Sequence, residues 1–136
     1  MNNTNLNICQ VSLNRDIPLI IENYNNFKKL YNEEITYSIV CPHDQIDEFR
    51  KKLKFEKLNI IDEDAIIKFS NFKSIYNELN IKINYKDEFN LRLKWYYQQA
   101  LKITFALNFI KNKRQNLVIW DADTVILKKI DFFRDN

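Results

Sequence analysis

The sequence predicts an α/β fold of three layers, in which a mostly parallel sheet lies between helices. Two observations support this class. Short apolar, β-branched runs alternate along the chain with longer segments of helical period, and strands separated by helices form parallel sheets. The length of 136 residues suffices for one domain and is too short for two.

The N-terminal part of the chain is predicted to hold two strands with a helix between them. Leu6 to Val11 and Ile35 to Cys41 are short apolar runs typical of buried strands. Ser12 to Asp16 forms a polar loop before the helix. Pro18 suits a first helical turn, and apolar residues recur at helical spacing as far as Leu30.

A second helix and a third strand are expected next. Pro42 ends the second strand, and Asp44 is predicted to cap the helix that follows. The inward face of this helix is formed by Ile46, Phe49 and Leu53. Leu58 to Ile61 is predicted to be the third strand.

The middle of the chain gives weaker signals before a long helix. Between Asp62 and Asn90 only short helical pieces are indicated, at Ala65 to Phe69 and Phe72 to Leu79, before a polar stretch. A long helix is then predicted from about Leu91 to Lys111. Because it is apolar on nearly all sides, we expect it to be buried on more than one side.

Composition excludes two common nucleotide-binding devices. The chain has no glycine, whereas the phosphate-binding P-loop and the dinucleotide turn both depend on it. Cys9 and Cys41 lack metal-ligand or disulfide spacing and are interpreted as buried thiols. The single histidine, His43, is expected to make a local polar contact.

Net charge and hydropathy indicate whether the chain binds nucleic acid or a membrane. A net charge of +3 does not indicate nucleic-acid binding. The basic stretch from Arg50 to Lys57 is interpreted as a solvated helix face, with contact to an anionic membrane surface as the alternative. No apolar run is long enough to span a membrane, so we expect a cytoplasmic chain, with peripheral contact to the inner membrane as an alternative.

A pair of carboxylates is the clearest chemical signal. Asn116 to Trp120 is predicted to be a strand that runs into Asp121 and Asp123. Residues i and i+2 of an extended segment point the same way, so both carboxylates can reach one point. Their mutual repulsion favours a cation there, and Mg²⁺ or Mn²⁺ takes one or two carboxylates beside substrate phosphates. A solvated Asp-x-Asp turn is the alternative.

Polar residues interrupt the long apolar helix shortly before this strand. Gln98 or Gln99 lies one helical turn from Lys102, so they share a face. A lysine in apolar surroundings requires an anion or a route to water. The hypothesis is that Lys102 and a glutamine face the carboxylates and a bound diphosphate; the alternative is a solvent-reaching lysine beside two surface glutamines.

These residues together resemble a known family. The pattern Trp95-x-x-Gln98-Gln99-x-x-Lys102, then a hydrophobic strand and Asp121-x-Asp123, resembles a family of bacterial glycosyltransferases with the Rossmann-like GT-A fold. It covers about the last third of the chain, with weaker agreement at the N-terminus. The resemblance implies binding of a nucleotide-sugar donor, with the carboxylates holding Mn²⁺ or Mg²⁺ against its diphosphate.

The resemblance also implies roles for individual residues. Asp123 is the expected direct metal ligand, and Asp121 holds the metal or the donor ribose. Lys102 neutralises the diphosphate, and Gln99 supports the donor site. A further role falls on the loop after the first strand, where Ser12 or Asp16 meets the base.

The extent of the chain adds an expectation about partners. A GT-A domain continues well beyond its D-x-D strand, and that second half supplies the acceptor site. We therefore expect a single donor-binding half over residues 1–136, truncated after the D-x-D strand, with a complementary C-terminal half or self-association as its partner. The acceptor implied is a cell-surface polysaccharide or a glycolipid.

Two other classes compete with this interpretation. Val118 to Val125 also matches the nucleophile motif of haloacid-dehalogenase-like phosphatases, in which Asp121 would attack phosphate and Asp123 would act as acid and base. That motif usually opens its domain, which argues against it here. The second alternative is a non-catalytic α/β interaction module, with both aspartates solvated and an apolar face exposed.

Overall fold

A parallel sheet forms the centre of the molecule. The computed structural model describes residues 5–83, 86–113 and 115–133, and the side chains of residues 80–91 lie outside that description. Over these residues the strands are β1 (Leu6–Val11), β2 (Ile35–Cys41), β3 (Leu58–Asp62) and β4 (Val118–Ile119). Their order is β3-β2-β1-β4, and every pairing is parallel. The predicted α/β class is confirmed, and the sheet is Rossmann-like.

Helices fill the connections between these strands. Helix α1 (Ile17–Leu30) joins β1 to β2, α2 (Ile46–Lys52) joins β2 to β3, and both α3 (Phe69–Ile83) and α4 (Lys86–Lys113) lie between β3 and β4 in the chain. Short 3₁₀ turns at Asn14–Asp16, His43–Gln45 and Glu63–Ala65 follow the first three strands. Over the described residues, no helix has the length and apolar character needed to cross a membrane.

The sheet carries an apolar cluster on each face. Successive strand residues point to opposite sides, so Ile8 belongs to the cluster under α1 and α2, while Cys9 belongs to the cluster under α4. In β2, Ile39 likewise belongs to the cluster under α1 and α2, and Val40 belongs to the cluster under α4. The sheet is therefore the middle of three layers, as predicted.

The first helix forms as its sequence indicates. Pro18 lies in the first turn, where its missing N–H leaves no hydrogen bond unmade. Ile20, Tyr24 and Phe27 recur at helical spacing and are buried against the sheet. Asn23, on the same buried side, is a polar exception that contacts the C-terminal part of the chain.

Two local predictions in the middle of the chain are wrong. Asp44 does not cap α2: it lies inside the His43–Gln45 turn, whose first bond runs from the Gln45 amide to the Pro42 carbonyl at 3.0 Å. The turn leads directly into α2, which has no side-chain cap. The short helical piece predicted at Ala65 to Phe69 is not formed, since a 3₁₀ turn ends at Ala65 and α3 begins at Phe69, whereas the piece predicted at Phe72 to Leu79 is confirmed as part of the longer helix α3. Part of the predicted polar stretch falls at residues 84–85, outside the described residues.

The expectation that α4 is buried on more than one side is wrong for its described side chains. Tyr97, Leu101 and Phe109 are buried. Ile103, Leu107 and Ile110, spaced by four and three residues, are exposed on another side. The reason is that α4 packs on the sheet and, through Tyr97, on α3, whereas no described element covers the side of the helix that carries the exposed residues.

The last strand is shorter than predicted and is followed by an extended segment along α1. The ladder between β4 and β1 spans two residue pairs, Ile8 with Val118 and Cys9 with Ile119. The Trp120 amide adds a bond to the Cys9 carbonyl at 2.9 Å. We call residues 124–130 the α1-bound segment.

Side chains of α1 and its C-cap hold the α1-bound segment by its backbone. Asn23 donates to the Thr124 carbonyl at 2.6 Å and accepts from the Ile126 amide at 2.9 Å. The Tyr31 hydroxyl donates to the Ile130 carbonyl at 2.8 Å and accepts from the Ile130 amide at 2.9 Å. These contacts join parts of the chain that are about a hundred residues apart, and they orient the turn between β4 and the segment.

Candidate functional site

The strand order places a crevice between the ends of β1 and β4. From β1 the chain builds the sheet in one direction through β2 and β3, and then returns to add β4 on the other side of β1. Open α/β sheets bind ligands outside the carboxyl ends of their strands at such a reversal. A cleft of about 300 Å³ lies at this reversal of the sheet, beside the ends of β1 and β4.

Three separate parts of the chain line the cleft. The end of β1 and its loop supply Val11, Arg15 and Asp16; helix α4 supplies Trp95, Gln98, Gln99 and Lys102; and the turn after β4 supplies Asp121, Ala122 and Asp123. The glutamines, the lysine and the paired aspartates thus lie together, as their sequence pattern predicts. Their roles toward a ligand stay predictions.

Lys102 pairs with Asp121 across the cleft. The ammonium nitrogen contacts Oδ1 of Asp121 directly. The Lys102 side chain is 14% exposed and that of Asp121 is 60% exposed, so the amine is largely shielded from water while its partner is open. A shielded ammonium is costly without an anion, and Asp121 supplies one.

Asp123 lies on the same turn with its carboxylate exposed. The turn is closed by the Thr124 amide, which donates to the Asp121 carbonyl at 3.2 Å. The Thr124 hydroxyl reaches Oδ1 of Asp123 at 3.5 Å. Among the ion pairs of the described residues, none includes Asp123. Its oxygens are therefore available to a ligand in the cleft.

The carboxylates fit a cation that is bound together with a substrate. No group of three or more His, Cys, Asp or Glu side chains suited to a metal ion occurs in the described ranges. Asp121 and Asp123 alone match the one or two carboxylates that Mg²⁺ takes beside substrate phosphates. The donor set is thus incomplete as a protein cage and suitable for a metal–diphosphate complex.

The two loop residues proposed for the base differ in position. Asp16 lines the cleft, while its Oδ2 accepts from the Leu13 amide at 3.1 Å and closes the loop locally. Ser12 is 2% exposed and is not among the cleft-lining residues. Its hydroxyl oxygen has no hydrogen-bond partner in the described structure. The structure therefore brings Asp16, and not Ser12, to the cleft surface.

Arg15 and Trp95 line the cleft although neither was among the predicted site residues. Arg15 adds a second cation at the cleft. Trp95 is 54% exposed and presents an indole there. Their sequence positions could have indicated this. Arg15 precedes Asp16 in the loop after β1, and Trp95 lies one helical turn before Gln98 and Gln99.

The histidine and the cysteines are not part of this cleft chemistry. Nδ1 of His43 lies 2.6 Å from Oδ2 of Asp62, which is the local polar contact expected. Burial raises the pKa of the Cys9 thiol to about 12, although the Lys102 charge lowers it. Burial, followed by the charges of Glu63 and Asp62, raises the pKa of Cys41 to about 12. Both thiols are buried, as predicted.

A second, larger groove lies elsewhere on the molecule, and its lining has no carboxylate that could hold a cation. Its volume is about 680 Å³, and it runs between β3 and the C-terminal half of α4. Its lining includes the amides Asn59, Asn108 and Asn112 and the aromatic rings Phe105 and Phe109, but no carboxylate. The smaller cleft, with charges of both signs at the sheet reversal, is the stronger candidate site.

The fold and the cleft together define an α/β protein with a mixed-charge site at the sheet reversal. Comparisons of the chain with protein-family models, with curated proteins and with solved structures give no match. Because a fold alone does not specify an activity, the function is inferred from the cleft residues.

Proposed function

We propose that the cleft binds the diphosphate of a nucleotide sugar together with Mn²⁺ or Mg²⁺, and that the chain is the donor-binding part of a GT-A-type glycosyltransferase. The observation that carries this proposal is the meeting of Lys102 with Asp121 and Asp123 in one cleft at the sheet reversal. The resemblance of the Gln/Lys helix and the D-x-D turn to bacterial glycosyltransferases supports the same function.

The charges of the cleft suit a diphosphate and a cation bound at one time. Lys102 and Arg15 can neutralise phosphate oxygens, while Asp121 and Asp123 can supply oxygen ligands to the metal. When bound, the cation stabilises negative charge on the departing nucleoside diphosphate. Since no glycine is present, phosphate recognition is assigned to side chains rather than to a backbone cradle.

The neutral residues of the cleft suit the remainder of a nucleotide sugar. The amides of Gln98 and Gln99 can both donate to and accept from hydroxyl groups. The half-exposed indole of Trp95 offers a flat apolar face to a sugar or base ring. Asp16 remains a candidate for contact with the base through the oxygen that does not hold the loop.

The resemblance extends the proposal to the acceptor, for which a cell-surface polysaccharide or a glycolipid is the proposed class. A cytoplasmic location is also proposed, with peripheral contact to the inner membrane as the alternative. The basic residues of α2, Arg50, Lys51 and Lys52, are exposed, but Arg50 and Lys52 pair with Asp47 and Glu48 of the same helix, which favours a solvated helix face over contact with anionic lipid.

Calorimetric titration with nucleotide sugars tests the proposal. UDP- and GDP-sugars are titrated with and without Mn²⁺ into the wild-type chain, Asp123→Ala and the control Asp131→Ala, which changes an exposed aspartate that does not line the cleft. We expect Mn²⁺ to strengthen donor binding by about tenfold or more in the wild type and the control, and not in Asp123→Ala.

Other outcomes of this experiment favour the alternatives. Equal affinity under all conditions contradicts the proposal, and complete absence of binding favours a non-catalytic interaction module. A separate trapping experiment tests the phosphatase interpretation, which a phosphoaspartate at Asp121 would support because this residue is its nucleophile.

A further inference from the structure

We infer that Lys102 acts as a built-in counter-charge that excludes a free divalent cation from Asp121 until a diphosphate draws the ammonium away. The inference concerns regulation of the cleft and rests on the proposed function for its diphosphate step. It begins from the direct contact between the Lys102 ammonium and Oδ1 of Asp121.

The contact places a positive charge where a cation would need to bind. Two positive charges close to one carboxylate repel each other strongly when one of them is shielded from water, and Lys102 is 14% exposed. Arg15 lines the same cleft and adds to the positive charge. A free Mn²⁺ ion therefore has to displace Lys102 or bind beside it against repulsion.

The other two carboxylates of the cleft do not offset the repulsion that Lys102 and Arg15 exert on a free Mn²⁺ ion. Asp16 already accepts from the Leu13 amide and lies 3.8 Å from the Arg15 guanidinium. Asp123 is the cleft carboxylate left without an ion pair among the described residues. One open carboxylate is a poor site for a hard cation, which prefers several oxygen ligands.

A bound diphosphate would affect both the Lys102 ammonium and the metal ion. Its oxygens offer Lys102 and Arg15 a stronger anionic partner than Asp121 alone, and they also supply ligands to the cation. Lys102 can then leave Asp121 without losing a counter-ion. Binding of the cation and binding of the diphosphate are thereby coupled, and the coupling is reciprocal.

The test measures Mn²⁺ binding in the absence of nucleotide. Free Mn²⁺ is followed by electron paramagnetic resonance for the wild type, Lys102→Met and the control Lys52→Met, which removes an exposed lysine paired with Glu48. We expect Lys102→Met to bind Mn²⁺ about tenfold more tightly than the wild type, because the competing charge is gone. The control should match the wild type.

The same measurement with UDP tests the second half of the inference. In the wild type we expect UDP to strengthen Mn²⁺ binding by about tenfold or more, and in Lys102→Met we expect a smaller enhancement, since the phosphates still supply metal ligands but no longer release Asp121 from Lys102. Lys102→Gln serves as a second variant, and circular dichroism verifies the fold of each.

The outcomes separate this inference from the proposed function. If neither Lys102 variant binds Mn²⁺ more tightly than the wild type, exclusion by Lys102 is overturned. If both variants bind it more tightly but UDP has no effect on any chain, exclusion by Lys102 is supported and nucleotide binding is contradicted.

Discussion

At the scale of single residues, Asn23 controls the position of the acidic turn although it lies outside the cleft. It is fully buried on α1, and its side-chain amide bonds the backbone of the α1-bound segment at Thr124 and Ile126. The Thr124 carbonyl also accepts from the Trp120 indole at 2.8 Å. The backbone after Asp123 is therefore held from two directions.

The change Asn23→Ala should destabilise the fold by about 2–3 kcal/mol, because it leaves the buried Ile126 amide without its partner and removes a bond to Thr124. Urea unfolding followed by circular dichroism measures this. Asn25→Ala, at an exposed position of the same helix, is the matched control and should have little effect. Equal stability of the two variants would show that the Asn23 bonds do not hold the segment.

The pairing of His43 with Asp62 should be visible as a shifted titration. The hydrogen bond and charge of Asp62 raise the pKa of His43 above its ordinary value. Burial raises the pKa of Asp62, but bonds from His43 and the Asp64 amide outweigh this and lower it. As the pH rises through the folded-state pKa of His43, the stabilising contact is lost; as the pH falls through that of Asp62, it is lost again.

The chain has one histidine, so its proton NMR titration can be assigned without ambiguity. We expect a midpoint above about 6.5, and a return toward that value in Asp62→Asn. Asp47→Asn changes an exposed carboxylate of the following helix and should leave the midpoint in place. A midpoint insensitive to Asp62 would contradict the pairing.

At the scale of elements, the sequence predicts best where one local signal dominates. The bounds of β1, α1 and β2 agree with the predicted segments, since apolar runs and a proline in the first turn act over a few neighbouring residues. Helix α3 was predicted only in part, as the short piece Phe72 to Leu79, because polar residues on both sides of that piece weaken the local signal for a longer helix. Periodicity alone also could not show that α4 packs on the sheet and on α3 while Ile103, Leu107 and Ile110 stay exposed.

The path after β4 depends on contacts that no local pattern contains. Asn23 and Tyr31 reach backbone groups about a hundred residues further along the chain. One signal was present, since Asn23 is a polar residue on the otherwise apolar inward side of α1. For the cleft, the spacing of Gln98, Gln99 and Lys102 predicted their common face, and the two aspartates lie in the cleft as expected, although they lie in a turn after β4 and not on the extended segment from which this was inferred. Arg15 and Trp95 required the three-dimensional arrangement.

At the scale of the whole molecule, the sheet is much better anchored at its centre than at the edge that carries the acidic turn. β1 and β2 pair over six residues, whereas β1 and β4 pair over two. Residues of both central strands are almost completely buried. Local opening should therefore begin at β4 and the α1-bound segment.

Hydrogen exchange measured by NMR tests this order of stability. We expect the Trp120 amide, which bonds Cys9, to exchange faster than the amides in the interior of β1 and β2. The physical reason is that few backbone bonds must break to release β4. Equal protection at Trp120 and in the central strands would mean that the sheet opens as one unit.

Because the cleft is open to water, its binding of charged ligands should depend on ionic strength. Arg15 and Asp121 are exposed, so at physiological concentration dissolved salt screens both the attraction of Arg15 and the repulsion of Asp121 for an approaching anion beyond about 8 Å. The shielded amine of Lys102 is screened much less. Added salt should therefore act on the approach of an anionic ligand through two opposing effects, whereas the contact of a bound anion with Lys102 is the interaction that salt weakens least.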